Sequence, residues 1–221
     1  WQASAQFSRN FRTDDILESD SNTFFGVDVI GAGNLSGTGT SGRYNTAYGN
    51  GALYSITTGF ENCAFGYQAS YSLDTSSRTC AFGFQALYSA TSDAGYHCAF
   101  GYQALYSNTT GSYNCAFGYR ALYTTTTELG LCAFGYRALE VNTGGANSAF
   151  GYGALILNSS GSSNSAFGQN CIGKNTTGSQ LCAFGDDTLA DNTTASGNSA
   201  FGYGALGQNT TGSQNTALGY Q

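Results

Sequence analysis

A tripeptide, Ala-Phe-Gly, returns along this chain at a nearly constant interval, and that periodicity limits the possible folds more than any other feature. It begins at Ala64, Ala81, Ala99, Ala116, Ala133, Ala149, Ala166, Ala183 and Ala200, with variants at Ala47-Tyr48-Gly49 and Ala217-Leu218-Gly219. The step is seventeen positions, lengthened by one from Ala81 to Ala99 and shortened by one from Ala133 to Ala149. A degenerate copy at Phe24-Phe25-Gly26 precedes a loop longer by six residues, which brings the total to twelve copies. One unit reads Asn-(Cys/Ser/Thr)-Ala-Phe-Gly-Tyr-x-Ala-Leu-x-x-Asn-Thr-Thr-Gly-Ser-x. That is too short for a helical-hairpin repeat, which needs more than about 30 residues. Gly, Asn, Ser and Thr every few residues also disfavour helix.

The spacing predicts an all-β fold, a parallel β-solenoid (β-roll or β-helix) of about twelve coils of about 17 residues. Two short strands per coil are expected, one at Cys-Ala-Phe and one at Tyr-x-Ala-Leu. The Gly after Phe suits a corner that needs φ > 0 or close backbone approach. A second Gly, at Gly42, Gly59, Gly111, Gly144, Gly161, Gly178 and Gly212, marks another corner. Asn-Thr-Thr-Gly between them is turn chemistry. Residues 1–21 read as an N-terminal leader that caps the first coil or docks on another chain, with Trp1, Phe7, Phe11, Ile16 and Leu17 as its apolar groups. Residues 22–221 read as the solenoid domain.

Stacking gives each residue type a reason. Coils pair as parallel strands about 4.8 Å apart, so equivalent residues form files along the axis. Phe65, Phe82, Phe100, Phe117, Phe134, Phe150, Phe167, Phe184 and Phe201 are expected to form a stacked aromatic core. Leu87, Leu105, Leu122, Leu139, Leu155, Ile172, Leu189 and Leu206 make a second apolar file. Asn45, Asn62, Asn114, Asn147, Asn164, Asn198 and Asn215 share one corner position, and Asn108, Asn142, Asn158, Asn175, Asn192 and Asn209 another. Stacked amides can bond up and down such columns.

Composition narrows the function. Only seven Lys and Arg stand against thirteen Asp and Glu, so no basic face for nucleic acid is expected. No apolar run approaches the ~20 residues of a membrane-spanning helix, so no membrane insertion is expected. The first residues hold no secretory apolar core, and the lack of an initiator Met suggests a processed start or a fragment. Charged residues at 9% and aromatics at 14% are the reverse of a disordered composition.

Few residues suggest chemistry. Cys63, Cys80, Cys98, Cys115, Cys132 and Cys182 all precede Ala, where other copies carry Thr46, Ser148, Ser165, Ser199 or Thr216. Cys171 replaces an Ala. These are small positions, expected to be buried. In-register stacking holds Cβ atoms further apart than the ~3.8 Å that a disulfide prefers, which favours a reduced ladder, with some disulfides or a metal as the alternative. There is no C-x-x-C pair and a single histidine, His97, at a corner where most copies have Asn, so no zinc site is expected. Asp186-Asp187 and Asp14-Asp15 are adjacent pairs whose side chains diverge on extended backbone, unlike two converging catalytic acids. Gly31-Ala32-Gly33 lacks the rest of a dinucleotide fingerprint. No catalytic residue, cofactor or metal ligand is assigned, and enzymatic activity is not expected.

Two surface features remain. Six acceptor sequons start at Asn34, Asn108, Asn158, Asn175, Asn192 and Asn209, and glycans there could point outward from a corner. The competing reading is that Asn-Thr-Thr-Gly is simply a good turn. Tyr54, Tyr71, Tyr88, Tyr106 and Tyr123 form a stripe confined to the first half, suited to a subunit interface, to a sugar or protein ligand, or merely to strand propensity. A second column, Tyr67, Tyr102, Tyr119, Tyr136, Tyr152 and Tyr203, reads better as core packing.

Copies such as Asn198-Ser199-Ala200-Phe201-Gly202-Tyr203-Gly204-Ala205-Leu206 and Asn215-Thr216-Ala217-Leu218-Gly219-Tyr220 resemble two groups. One is the head repeats of trimeric autotransporter adhesins. The other, closer in wording, is the Asn-Thr-Ala-x-Gly-Tyr-x-Ala-Leu repeats of phage and large-virus tail-fibre proteins. The resemblance covers about Asn22 to Gln221 and implies a left-handed parallel β-roll, often trimeric, serving as a fibre or adhesin shaft. The expected function is therefore a structural fibre, a rigid rod on a cell or virion surface and hence extracellular, partnered by itself as a trimer or head-to-tail filament. The alternative is an adhesin module for surface glycans or a receptor. An ice-binding solenoid, resting on pairs such as Thr176-Thr177 and Thr193-Thr194, is a remote third.

Overall fold

The computed structural model describes residues 22–26, 28–29, 42–91 and 95–221. The leader over residues 1–21, the Gly31-Ala32-Gly33 segment and the Asn34 sequon lie outside the described residues.

The strand sequence Cys-Ala-Phe sets the geometry of every lap. Side chains alternate across a strand, so the central Ala and its two neighbours face opposite ways. Among the described residues twelve three-residue strands result: β1 (Thr23–Phe25), β2 (Thr46–Tyr48), β3 (Cys63–Phe65), β4 (Cys80–Phe82), β5 (Cys98–Phe100), β6 (Cys115–Phe117), β7 (Cys132–Phe134), β8 (Ser148–Phe150), β9 (Ser165–Phe167), β10 (Cys182–Phe184), β11 (Ser199–Phe201) and β12 (Thr216–Leu218). They form one parallel sheet in sequence order. Pairing is in register, with Phe65 opposite Phe82, Phe82 opposite Phe100 and Phe100 opposite Phe117. The one long and one short step leave this register intact, because Cys80 still pairs Cys98 and Cys132 still pairs Ser148. The chain is thus an all-β parallel solenoid, and one repeat is one lap.

The core differs from the expectation in its contents. From β3 to β11 the central strand alanines, Ala64 through Ala200, are wholly inaccessible. Opposite them lie a second alanine file (Ala52, Ala69, Ala86 and on to Ala154) and the leucine file from Leu87 to Leu189, all fully buried. Leu206 is partly buried against the same core. The phenylalanines are stacked as expected, but they sit outside. Their centroids are 4.5–5.3 Å apart with planes within 7°. Those from Phe65 to Phe167 are half-buried on the outer sheet face, and Phe184 and Phe201 are exposed. Only one strand face can point inward, and so short a lap leaves a lumen narrow enough for alanine to take that face.

The Tyr-x-Ala-Leu segment is not a strand. In each lap it is a turn in which x and Leu adopt left-handed backbone, as at Arg120 (φ 53°) and Leu122 (φ 54°). Its hydrogen bonds still run between laps. Arg120 N–H donates to the Tyr102 carbonyl of the preceding lap at 2.9 Å, and Leu122 N–H to Ala138 of the next at 3.1 Å. A polar ladder in both axial directions is thereby kept without extended geometry.

The two glycine columns have separate causes. Gly118, just after β6, has φ +136°, and a Cβ there would fall 2.7 Å from the Gly135 carbonyl carbon and closer still to its oxygen. Gly161 needs no positive φ, but a Cβ would meet Asn175 Nδ2 at 2.7 Å and, closer still, the Gly178 carbonyl oxygen. The first column is conformational and steric; in the second, Gly42 has φ 71°, and at Gly161 close approach alone excludes a side chain.

Candidate functional site

The interior polar groups serve the stack. In the first Asn column, Oδ1 accepts the backbone N–H one lap on, as Asn147 does from Asn164 at 2.9 Å and Asn164 from Leu181 at 2.9 Å. Nδ2 donates to a carbonyl of the next lap, as from Asn164 to Gly178 at 2.9 Å. In the second column the amides bond one another directly: Asn158 to Asn142 at 2.7 Å, Asn175 to Asn158 at 2.6 Å and Asn192 to Asn175 at 2.9 Å. These same amides belong to the sequons. Asn108, Asn158, Asn175 and Asn192 are fully buried, and Asn209 donates its Nδ2 to Gly212 at 2.7 Å. The structure turns the four buried side chains inward, so within the folded lap their nitrogens bond inside it rather than facing a glycan, whereas Asn209 is only partly buried and its amide bonds within its own exposed corner.

His97 occupies the first Asn column and is buried. Its Nδ1 accepts from Asn114 N–H at 3.3 Å, in place of an Asn oxygen, and its Nε2 lies 3.1 Å from the Asn108 amide nitrogen. Burial pushes its pKa down to about 4, and so the folded protein holds a neutral ring. A group whose folded pKa is depressed supports stability above its unfolded value, ~6.5, and that support declines as pH falls from there toward 4. His97→Asn restores the residue found in neighbouring laps and is expected to remove the dependence. Between pH 7 and pH 4 the wild type should lose roughly 3 kcal/mol more unfolding free energy than the variant. Urea titrations of both proteins at the two pH values check this, and parallel losses would contradict it.

The outer surface carries three files. The first is the Phe file. The second is Tyr67, Phe84, Tyr102, Tyr119, Tyr136 and Tyr152, each 40–56% exposed and stacked on the next at 4.9–5.1 Å. It lies outside the core that the sequence suggested for it, because the glycine corner between Phe and Tyr turns both rings outward. The third is Tyr54, Tyr71, Tyr88, Tyr106 and Tyr123, half-buried and stacked at 4.8–5.2 Å. In all three the rings face each other and point their edges outward.

The third file ends at a charged group whose partners column arithmetic alone does not reveal. Glu140 stands one lap beyond Tyr123 and is buried. The Arg120 guanidinium lies 3.9 Å from the Tyr123 ring centroid and 3.1 Å from Glu140, and Arg137 also pairs with Glu140. Arg120 and Arg137 replace the glutamines of earlier laps, where Gln85 donates to Gln68 at 2.9 Å and Gln103 to Gln85 at 3.0 Å. One carboxylate between two stacked cations relieves their repulsion.

Six of the seven thiols lie on the outer face beside the phenylalanines, half-exposed rather than buried; only Cys171 is inside. All seven are free. Partial burial raises the thiol pKa values of Cys63 and Cys132, and takes those of Cys80 and Cys115 to about 11; deeper burial takes Cys171 to about 12. The adjacent carboxylates do not converge. Asp186 accepts from Gln169 N–H at 2.9 Å, and Asp187 from the Asn170 amide at 3.3 Å. Among the described residues no group of three or more His, Cys, Asp or Glu could hold a metal ion, and no helix is long and apolar enough to cross a membrane. The first Thr of the Asn-Thr-Thr corner is also used axially, Thr176 and Thr193 donating to the next lap's carbonyl at 2.9 and 3.1 Å. No family model, curated protein or solved structure matches the chain.

Proposed function

We propose that the protein is a structural fibre segment, a stiff rod displayed on a cell or virion surface and associating with copies of itself. The observation that carries this reading is uniformity. From β2 to β12 every lap repeats the same register, and from β3 to β11 the stacked phenylalanines and the buried strand alanines run without a break. Distinctive side chains are spent on lap-to-lap bonds instead of converging on a pocket. Such a solenoid resists bending because each lap is tied to the next by backbone bonds on several sides. The resemblance to tail-fibre and adhesin-head repeats agrees with a shaft.

The adhesin reading draws on the exposed Tyr67–Tyr152 file. Stacked rings cover one another's faces, however, and a sugar packs on a ring face. This favours a protein partner over a glycan. Negative-stain microscopy with sedimentation tests the proposal. Rods that form oligomers or filaments with rising concentration are expected, and particles that remain monomeric at high concentration would contradict it.

A further inference from the structure

The cysteine file is continuous across five laps, β3 to β7. Cys63, Cys80, Cys98, Cys115 and Cys132 are paired in register. Each is half-exposed on the outer face, one rung from its neighbour in the file. Packing does not demand sulfur here. Ser148, Ser165 and Ser199 occupy the same position in β8, β9 and β11 with the same half-buried exposure. What distinguishes the five laps is the chemistry of the side chain.

In-register strands hold equivalent atoms about 4.8 Å apart. This is too far for a disulfide, whose Cβ atoms lie about 3.8 Å apart. It is also the wrong pattern for zinc, which takes four ligands in a tetrahedron. It does suit an ion that takes two thiolates in a line. Two metal–sulfur bonds of about 2.3 Å laid end to end span about 4.6 Å, close to the rung spacing. Soft thiolate ligands select copper(I) among biological metals. We infer that neighbouring cysteines of the β3–β7 file form two-coordinate sites for a soft monovalent metal ion, copper(I), each bridging two laps. As an ion binds, two S–H bonds break, two Cu–S bonds form and two protons leave to solvent. The ion stays in the +1 state, so no oxidant or reductant is involved. A thiolate shared by two collinear ions would need a straight metal–sulfur–metal angle, which bent sulfur bonding disfavours. Five thiols therefore give two sites, with one sulfur left over. This site does not depend on the fibre reading.

The order of the thiols permits a test that separates paired from individual sulfurs. The fully reduced protein is titrated under anaerobic conditions with copper(I) supplied by a coloured copper(I) chelator. Wild type is expected to withdraw two copper ions per chain. Cys98→Ser leaves the pairs Cys63–Cys80 and Cys115–Cys132 and should also withdraw two. Cys80→Ser/Cys115→Ser keeps three file thiols but no neighbours, and its apparent affinity should fall by about 10²-fold or more, the scale on which a second tethered ligand acts. Cys171 and Cys182 stay in every variant as isolated thiols, and circular dichroism confirms the fold of each. Failure of the wild type to compete with the chelator would overturn the inference. So would a double variant that withdraws copper as well as Cys98→Ser does.

Discussion

Gly118→Ala is expected to cost more than about 4 kcal/mol, at the far end of what single substitutions do. Two effects add. The backbone at Gly118 has φ +136°, a region essentially closed to residues with a Cβ. The new methyl would also overlap the Gly135 carbonyl of the next lap, which is fixed by its own ladder. Relief would require the two laps to separate, and their neighbours with them. Because solenoid stability is a sum of lap and nearest-neighbour terms, the rod should then melt as two blocks rather than one. Gly130→Ala is the matched control. Gly130 has φ +66°, within ordinary left-handed space, and a Cβ there meets nothing within 4 Å. Its expected cost is only about 1–2 kcal/mol. Calorimetry of both variants checks the pair, and equal shifts in Tm would contradict the steric account.

Asn164→Ala should cost about 2–3 kcal/mol, because it strands the buried Leu181 N–H at about 1–3 kcal/mol and removes one of two donors from the Gly178 carbonyl, which keeps Asn175 Nδ2 at 2.8 Å. The amide accepts from Leu181 N–H at 2.9 Å and donates to the Gly178 carbonyl at 2.9 Å, in a fully buried setting. Alanine can replace neither bond. Asn215 belongs to the same column but is exposed, so water can replace its amide and Asn215→Ala should cost less than about 1 kcal/mol. Chemical denaturation separates these outcomes. A small effect at Asn164 would mean that the buried amides are not what ties the laps together.

The lap was legible in the sequence because its cause is local and repeated. Ala-Phe-Gly at its regular spacing sets the register, and the glycine after Phe announces a backbone that other residues cannot follow. Three features were hidden. Apolarity made phenylalanine look like core, yet the three-residue strand has one inward position and Ala holds it. Alternation made Tyr-x-Ala-Leu look extended, whereas Leu105, Leu122 and Leu139 all take positive φ. Leucine is a poor choice for that region by itself, and only the inter-lap bonds and the buried side chain on each side hold it there. The sequons looked outward for a related reason. Turn chemistry shows where the chain bends but not which way an amide points, and Asn158 and Asn175 point into the column. The thiol file was visible as a column in the sequence, but its outward placement depends on the inward alanine beside it.

The central claim is that equivalent residues of successive repeats stand one rung apart along a common axis, and pulsed dipolar spectroscopy measures this directly. Nitroxide pairs are placed on exposed corner positions after Cys171 is replaced by Ala and the other cysteines by Ser, residues that the same columns already use. With labels at Thr110, Thr177 and Thr211, four rungs separate the first two and six the outer two. The predicted separations are about 19 Å for the first pair and about 29 Å for the outer pair. Adding Thr75 extends the series to eight rungs from Thr211, at about 38 Å. Distances that rise by about 4.8 Å per rung are the predicted result; separations that fail to grow with the number of intervening laps would contradict the stacked solenoid.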